Sequence, residues 1–381
     1  MDPYCLVWDP GFLDYDFGPT HPFQERYRSL AVELFVADRS GRDRIARLVE
    51  EAPIAPRSEL ERFHRSEYID RVERVGERTR PGFLDQGDTP GFTGCHRAAA
   101  RIVGGALVAV SALLSERSTP RAFHPAGGLH HAAPSAASGF CIYNDVAVAI
   151  ARALHGPDRV DRVAYIDIDA HHGDGVMYGF YRDGRVLDID FHQDGRTLFP
   201  GTGAADEHGR GDGEGLKLNV PMPPGAGEAE FPTLFRRIVP PMLDRHRPGL
   251  IVLQHGMDGH LGDPLAALTL GPVSYRTAVR TLREWADARG VPFLVTGGGG
   301  YRPEHVARGL ARAATLLDDP GAVPGDEDPV PGRWRDLFVD ATGRPAPSRW
   351  ADGPTAPAAR PLPVWGEAVL AELARGTGQT F

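Results

Sequence analysis

Apolar positions along the chain fall into two alternating periods. Short apolar runs at residues 4–8 (YCLVW), 163–168 (VAYIDI), 186–191 (VLDIDF), 250–254 (LIVLQ) and 292–296 (PFLVT) are rich in β-branched and aromatic side chains, which predicts strands. Between them, helical spacing predicts helices over residues 24–37, 63–75, 97–114, 144–154, 228–246, 274–288 and 302–317. Glycine and proline break the periodicity over 81–94 and 126–139, which read as loops. Strands alternating with helices of this length predict parallel βαβ units and one doubly wound α/β sheet. Ligands of such sheets sit beyond the carboxyl ends of the strands, and the polar clusters of this chain fall at those ends. From residue 318 the text turns proline-rich (DDPGAVPGDEDPVPGR, later GPTAPAARPLP), so residues 318–381 are expected to be an appendage wrapping the domain or partly mobile. No internal repeat is apparent.

Composition narrows the setting. With 381 residues and 41% hydrophobic content, the chain can bury one large core or two ordinary ones. No run comes near the roughly eighteen apolar residues of a membrane span, and the start MDPYCLVWDP lacks the marks of a signal peptide, so a cytoplasmic protein is expected. Three cysteines without a CxxC pair give no disulfide framework and no thiolate metal site. A net charge of −9 argues against nucleic acid or an acidic membrane as partner and suits a neutral or cationic substrate. Lys217 is the only lysine.

The chemistry gathers around residues 163–175, VAYIDIDAHHGDG, an apolar run ending in acids and histidines. On an extended strand Asp167, Asp169 and His171 share one face, a pattern that suits a metal. A metal that activates water needs a few protein ligands and an open position. Asp169 and His171 supply two, and Asp258, at the end of another strand, is the natural third. The blander reading makes such strand-end acids helix caps and such histidines packed residues. His130 and His131 arrive from the preceding loop and can flank a reacting carbonyl, with Asp167 and Asp174 as the acids available to orient them. Tyr301, after four glycines, can donate to an oxyanion. Those glycines lack the lysine of a P-loop and the spacing of a dinucleotide fingerprint.

Six ordered motifs, GGLHHA (127–132), SGFCIYND (138–145), YIDIDAHHGDGV (165–176), LFPGTG (198–203), QHGMDGHLGDPLA (254–266) and GGGGY (297–301), resemble the metal-dependent histone deacetylase family of the arginase/deacetylase fold. The match runs from residue 4 to about 317. Within the family, YDFGPTHPF (15–23), IYND and DPLAALTL look most like the bacterial acetoin utilization proteins. The resemblance implies a deacetylase domain over residues 1–317 with a single, mainly parallel sheet of about eight strands flanked by helices. It implies a zinc-type site of Asp169, His171 and Asp258, a ligand set that also accepts ferrous iron. His131 with Asp174 would be the general base, His130 with Asp167 its electrostatic partner, and Tyr301 the group that polarises the acyl carbonyl. Gly139, Phe140 and Phe199 would wall a tunnel for the lysine stem, Leu265 would line its mouth, and Asp88 would hold the substrate's backbone amides. A structural monovalent cation, K+ or Na+, is implied near Asp167, Asp169 and Asp190. Asp190, however, stands where most relatives carry a serine. In HPFQERYR (21–28) the arginines fall one residue early, so both Arg26 and Arg28 remain candidates for the inner channel. The activity implied is removal of acyl groups from ε-N-acyl-lysine side chains of an acetylated protein or peptide. An acetylpolyamine amidohydrolase, an arginase-like dinuclear hydrolase and a non-catalytic acyl-lysine binder are the alternatives, and the oligomeric state is left open.

Overall fold

A computed structural model of the chain describes residues 4–38, 47–79, 82–85, 87–115, 120–352 and 361–381. Pro81 and Gln86 of the loop over 81–94, and residues 353–360 of the proline-rich tail, lie outside the described residues. Eight strands, β1 (Tyr4–Val7), β2 (Arg47–Val49), β3 (Arg121–His124), β4 (Val163–Asp167), β5 (Val186–Gln193), β6 (Lys217–Met222), β7 (Leu250–Gln254) and β8 (Phe293–Thr296), form one sheet in the order β2-β1-β3-β8-β7-β4-β5-β6. Every pairing in it is parallel. The helices are α1 (Arg26–Asp38), α2 (Arg57–Leu60), α3 (Ser66–Gly76), α4 (Cys95–Leu114), α5 (Asp145–His155), α6 (Asp174–Gly179), α7 (Phe231–His246), α8 (Pro272–Arg289), α9 (Pro303–Asp318), α10 (Gly332–Thr342) and α11 (Val364–Thr377).

Parallel strands are buried on both faces, and β4 shows how the sequence meets that demand. Ala164 and Ile166 enter a core shared with Leu234 of α7 and Leu310 of α9. Val163 and Tyr165 enter the opposite core, with Ile102 of α4 and Val146 of α5. The helix ends carry ordinary stop signals: Asn144 caps α5 through the Ala147 amide, while α8 opens on Pro272 and closes on the left-handed Gly290.

Helix α4 corrects one expectation. Its length and hydropathy would suffice for a membrane span, yet 72% of its apolar window is buried in the fold. The proline-rich text beyond residue 318 also hides two helices. Trp334 of α10 is fully buried and donates its indole N–H to the Leu30 carbonyl of α1 at 2.7 Å.

A candidate metal-dependent active site

Strands β3, β8, β7 and β4 are consecutive neighbours in the sheet, so the loops leaving their carboxyl ends converge. These loops carry His130 and His131 after β3, Tyr301 after β8, Asp258 after β7, and Asp169, His171 and Asp174 after β4. Ligand atoms of Asp169, His171 and Asp258 all lie within 4.8 Å of one another. The route to this cluster differs from the expected one, because β4 ends at Asp167 and the extended geometry does not reach His171. Instead the chain turns on its own carboxylates, with the Asp169 amide donating to Asp167 Oδ1 and the His171 amide to Asp169 Oδ1.

The three side chains fit a divalent ion by their own bonding. Asp169 Oδ2 accepts from the Gly299 amide and Asp258 Oδ1 from the Ala170 amide, both at 2.7 Å. Each turns its other oxygen toward His171 Nδ1, Asp258 Oδ2 at 2.9 Å and Asp169 Oδ1 at 3.2 Å. Two buried carboxylates around one imidazole leave negative charge that water cannot reach, which is costly without a cation. Burial alone would lower the His171 pKa, but the two acids raise it to about 10, the mark of a site that demands positive charge. Glycine makes the approach possible: a Cβ on Gly299 would stand 1.9 Å from Asp258 Oδ2, and one on Gly256 would stand 2.0 Å from Asp169 Oδ2.

Asp167 points away from this trio. Its Oδ2 accepts from the Tyr165 hydroxyl and lies 2.8 Å from His130 Nδ1, while His131 Nδ1 lies 2.7 Å from Asp174 Oδ1. The two Nε2 atoms face each other at 3.1 Å. The contacts require one of the two rings to be doubly protonated, and the charges choose His130: His131 donates its Nδ1–H to Asp174, and His130 donates to both Asp167 and His131. The electrostatics agree. Burial opposes charge on both rings, yet Asp167 and Asp169 raise His130 to about 10, whereas burial and the His130 charge lower His131 to about 4. A neutral imidazole beside a charged one is an acceptor and a field source in adjacent positions. The cap of α5 fixes them both: Asn144 Nδ2 donates to the His130 and Ala132 carbonyls, and Asp145 Oδ1 accepts from the Gly128 and Leu129 amides.

Tyr301 completes the pocket, its ring centroid 6.5 Å from that of His171 and 6.1 Å from that of Phe140. Burial, then Asp258 and Asp169, push its phenol pKa well up, so it keeps its proton and can donate. Phe199 lies 5.2 Å from His131, centroid to centroid, and a Cβ on Gly139 would stand 3.0 Å from the Phe199 ring. Gly139 and Phe140 both have positive φ (54° and 67°), and a Cβ on Gly139 would stand 2.4 Å from the His131 ring, so only glycine allows that wall. Asp88 accepts from the Gly139 amide at 3.2 Å, and Leu265 donates its amide to Asp263 at 2.9 Å.

Two features escape a reading of the sequence, and a choice it left open is resolved. Asp263, whose Oδ2 accepts from the Tyr301 amide, holds the tyrosine loop, and nothing in GDP marks it apart from a turn. Cys141 joins the pocket lining. Of the two arginines, Arg28 is buried over the Phe23 ring with its guanidinium on the Gly298 carbonyl, while Arg26 is exposed. Among the described residues a second grouping, His260, His305 and Asp352, has metal-like spacing. Its carboxylate is already committed to Arg308 at 2.7 Å, and burial, His260, Arg308 and two further arginines push His305 down to about 2, surroundings hostile to a cation.

The chain matches the histone deacetylase domain family over residues 21–317. It is 34% identical to the acetoin utilization protein AcuC of Bacillus subtilis over 88% of this chain and 86% of that relative. It is 34% identical to histone deacetylase B of Dictyostelium discoideum over 80% of this chain and 71% of that relative. AcuC of Staphylococcus aureus strain MSSA476 is 32% identical over 89% of this chain and 91% of its own length. A parallel eight-stranded sheet, a pocket of acids and histidines at its carboxyl edge, and relatives matched along most of their length agree: the chain belongs to the histone deacetylase family.

Proposed function

We propose that this protein is a metal-dependent amidohydrolase that removes acetyl groups from ε-N-acetyl-lysine side chains of a protein or peptide. The observation that carries the reading is the meeting of Asp169, His171 and Asp258 with a neutral His131 on one side and a protonated Tyr301 on the other. A divalent ion held by the three ligands, zinc in this reading with ferrous iron also accommodated, would lower the pKa of a water and draw electron density from the acyl carbonyl. Phe140, Phe199 and Gly139 enclose the methylene stem, Leu265 lies at the mouth and Asp88 holds backbone amides at the rim. His131 Nε2, giving up the hydrogen bond it accepts from His130, takes the proton of the attacking water, with Asp174 fixing its tautomer, and later returns that proton to the leaving lysine nitrogen. The His130 charge, anchored by Asp167, favours the negative charge that builds during attack, and the Tyr301 hydroxyl donates to the acyl oxygen as it gains charge. Acetate and the free amine leave.

The test is a substrate panel on the purified protein, comparing acetyl-lysine peptides, longer acyl-lysines and acetylated polyamines, before and after chelation. Cleavage of the peptides that stops on chelation is expected. Turnover that survives removal of the metal would end the metal-hydrolase reading, and preference for polyamines would move the substrate to small cations.

A further inference from the structure

The buried polar side chains of β4, β5 and β6, of which the mechanism uses Asp167 alone, are not scattered. They form a stripe across β4, β5 and β6, where the register sets Tyr165 beside Asp188, Asp167 beside Asp190, Asp188 beside Lys217 and Asp190 beside Asn219. Asp167, Asp188, Asp190, His192, Lys217 and Asn219 are all buried. Such a stripe of acids needs compensating charge, and a monovalent cation bound through Asp190 is what the family resemblance leads one to expect. The hydrogen bonds argue otherwise. Asp190 already has a donor on each oxygen, the Gly173 amide on Oδ2 at 2.7 Å and His192 Nδ1 on Oδ1 at 2.6 Å. The other nitrogen of His192 faces the Gly203 carbonyl at 2.9 Å. Neither of those acceptors has a proton to give, so the ring carries one on each nitrogen and with it a full positive charge. Gly203 is shaped for this contact: it has a φ of +85°, and a Cβ there would stand 2.5 Å from His192 Nε2. Burial disfavours charge on both partners, yet each holds the other charged, Asp190 shifted down and His192 shifted up.

We propose that the Asp190–His192 ion pair takes the place of the structural monovalent cation, so that a built-in imidazolium, rather than K+ or Na+, holds the loop bearing Asp169, His171 and Asp174. Gly173 is the link. Its amide is gripped by Asp190, and its Cα packs so closely on Asp167 that a Cβ would stand 2.6 Å from that carboxylate. Asp190 and His192 are thus positioning residues that act on the site through the backbone of residues 171–174. Burial, then Asp190, push the Asp188 pKa well up, so this acid adds no charge that needs a cation, and its register neighbour Lys217 donates its ammonium to the Val186 and Asp183 carbonyls.

The test uses the metal-loaded full chain in KCl, NaCl and tetramethylammonium chloride at equal ionic strength. Coincident melting temperatures and coincident kcat/KM are expected, together with no anomalous-scattering peak beside Asp190 in crystals grown with rubidium. A rubidium peak within ligand distance of Asp190, or a melting temperature raised by K+ or Na+ alone, overturns the proposal. His192→Gln keeps the ring's hydrogen-bonding reach and removes its charge, so it should melt lower and recover with K+ or Na+ but not with tetramethylammonium. A His192→Gln protein with the wild-type melting temperature in all three salts overturns the proposal as well, and if the variant does not fold, the rubidium and salt measurements on the wild type decide it.

Discussion

His130 and His131 are the same side chain one peptide apart, and their neighbours drive them to opposite protonation states. His130 faces Asp167 and Asp169 and is held charged, while His131 has only Asp174, beside a charged ring, and is held neutral. A base must be neutral to accept a proton, so activity should appear as pH rises through the His131 pKa. Replacing His130 by Gln removes the positive neighbour that helps hold that pKa at about 4, and the value should climb toward its ordinary 6.5. The acid limb of kcat/KM then moves to higher pH, and the variant loses most activity on the acid side. An acid limb that stays in place would show that burial alone sets the His131 pKa. Tyr301→Phe tests the other end of the pocket. It keeps the ring's contacts with Phe140 and His171 and removes only the donor, so kcat should fall about 10²- to 10³-fold with the fold intact. A near-normal rate would remove Tyr301 from the chemistry.

At the scale of elements, the site depends on four loops brought together by strand order, and glycines decide how closely they pass. Gly299 follows β8 and Gly256 follows β7, and each lies against a carboxylate from another loop. Gly299→Ala puts a methyl group 1.9 Å from Asp258 Oδ2 and breaks the geometry in which Asp169 and Asp258 share His171 Nδ1. Metal affinity should fall by roughly 10- to 100-fold, the usual cost of disturbing the shell that orients ligands, while circular dichroism stays unchanged. Full metal occupancy in the variant would mean that the carboxylates can move aside. Much of this level was legible in the sequence. The apolar run LIVLQ is β7 residue for residue, and the strand-end acids and histidines do meet at one edge. Strand β2 escaped because RLV is only three residues long, and β3 and β6 because RAFH and KLNVPM look polar: they bury Arg121, and Lys217 with Asn219, whose partners only the tertiary fold supplies. The alternation argument brought Asp169 and His171 together by a route the chain does not take, since backbone turns after Asp167, and not strand pleating, aim them. Asp263 stayed hidden because it acts through a backbone amide, which leaves no trace in residue type.

Over the whole molecule, the catalytic edge is tied to sequence far beyond the matched region. Trp334 of α10 is buried against α1, with its indole N–H on Leu30 and its ring 5.2 Å from Phe338. Helix α1 in turn carries Arg28, whose guanidinium grips the Gly298 carbonyl three residues before Tyr301. The residues after 318 therefore brace a helix that braces the glycine loop. Trp334→Ala would remove a large buried side chain and leave the Leu30 carbonyl without its donor, which should cost about 3–5 kcal/mol in denaturant-induced unfolding. Because the chain from α10 to the glycine loop is mechanical, not chemical, kcat should fall far less than in Tyr301→Phe while the unfolding midpoint moves much more. If the midpoint holds and the last helices melt separately, the residues after 318 form a unit of their own and the brace does not exist. A single cooperative transition shifted to lower denaturant would make the tail part of the same fold that positions the tyrosine.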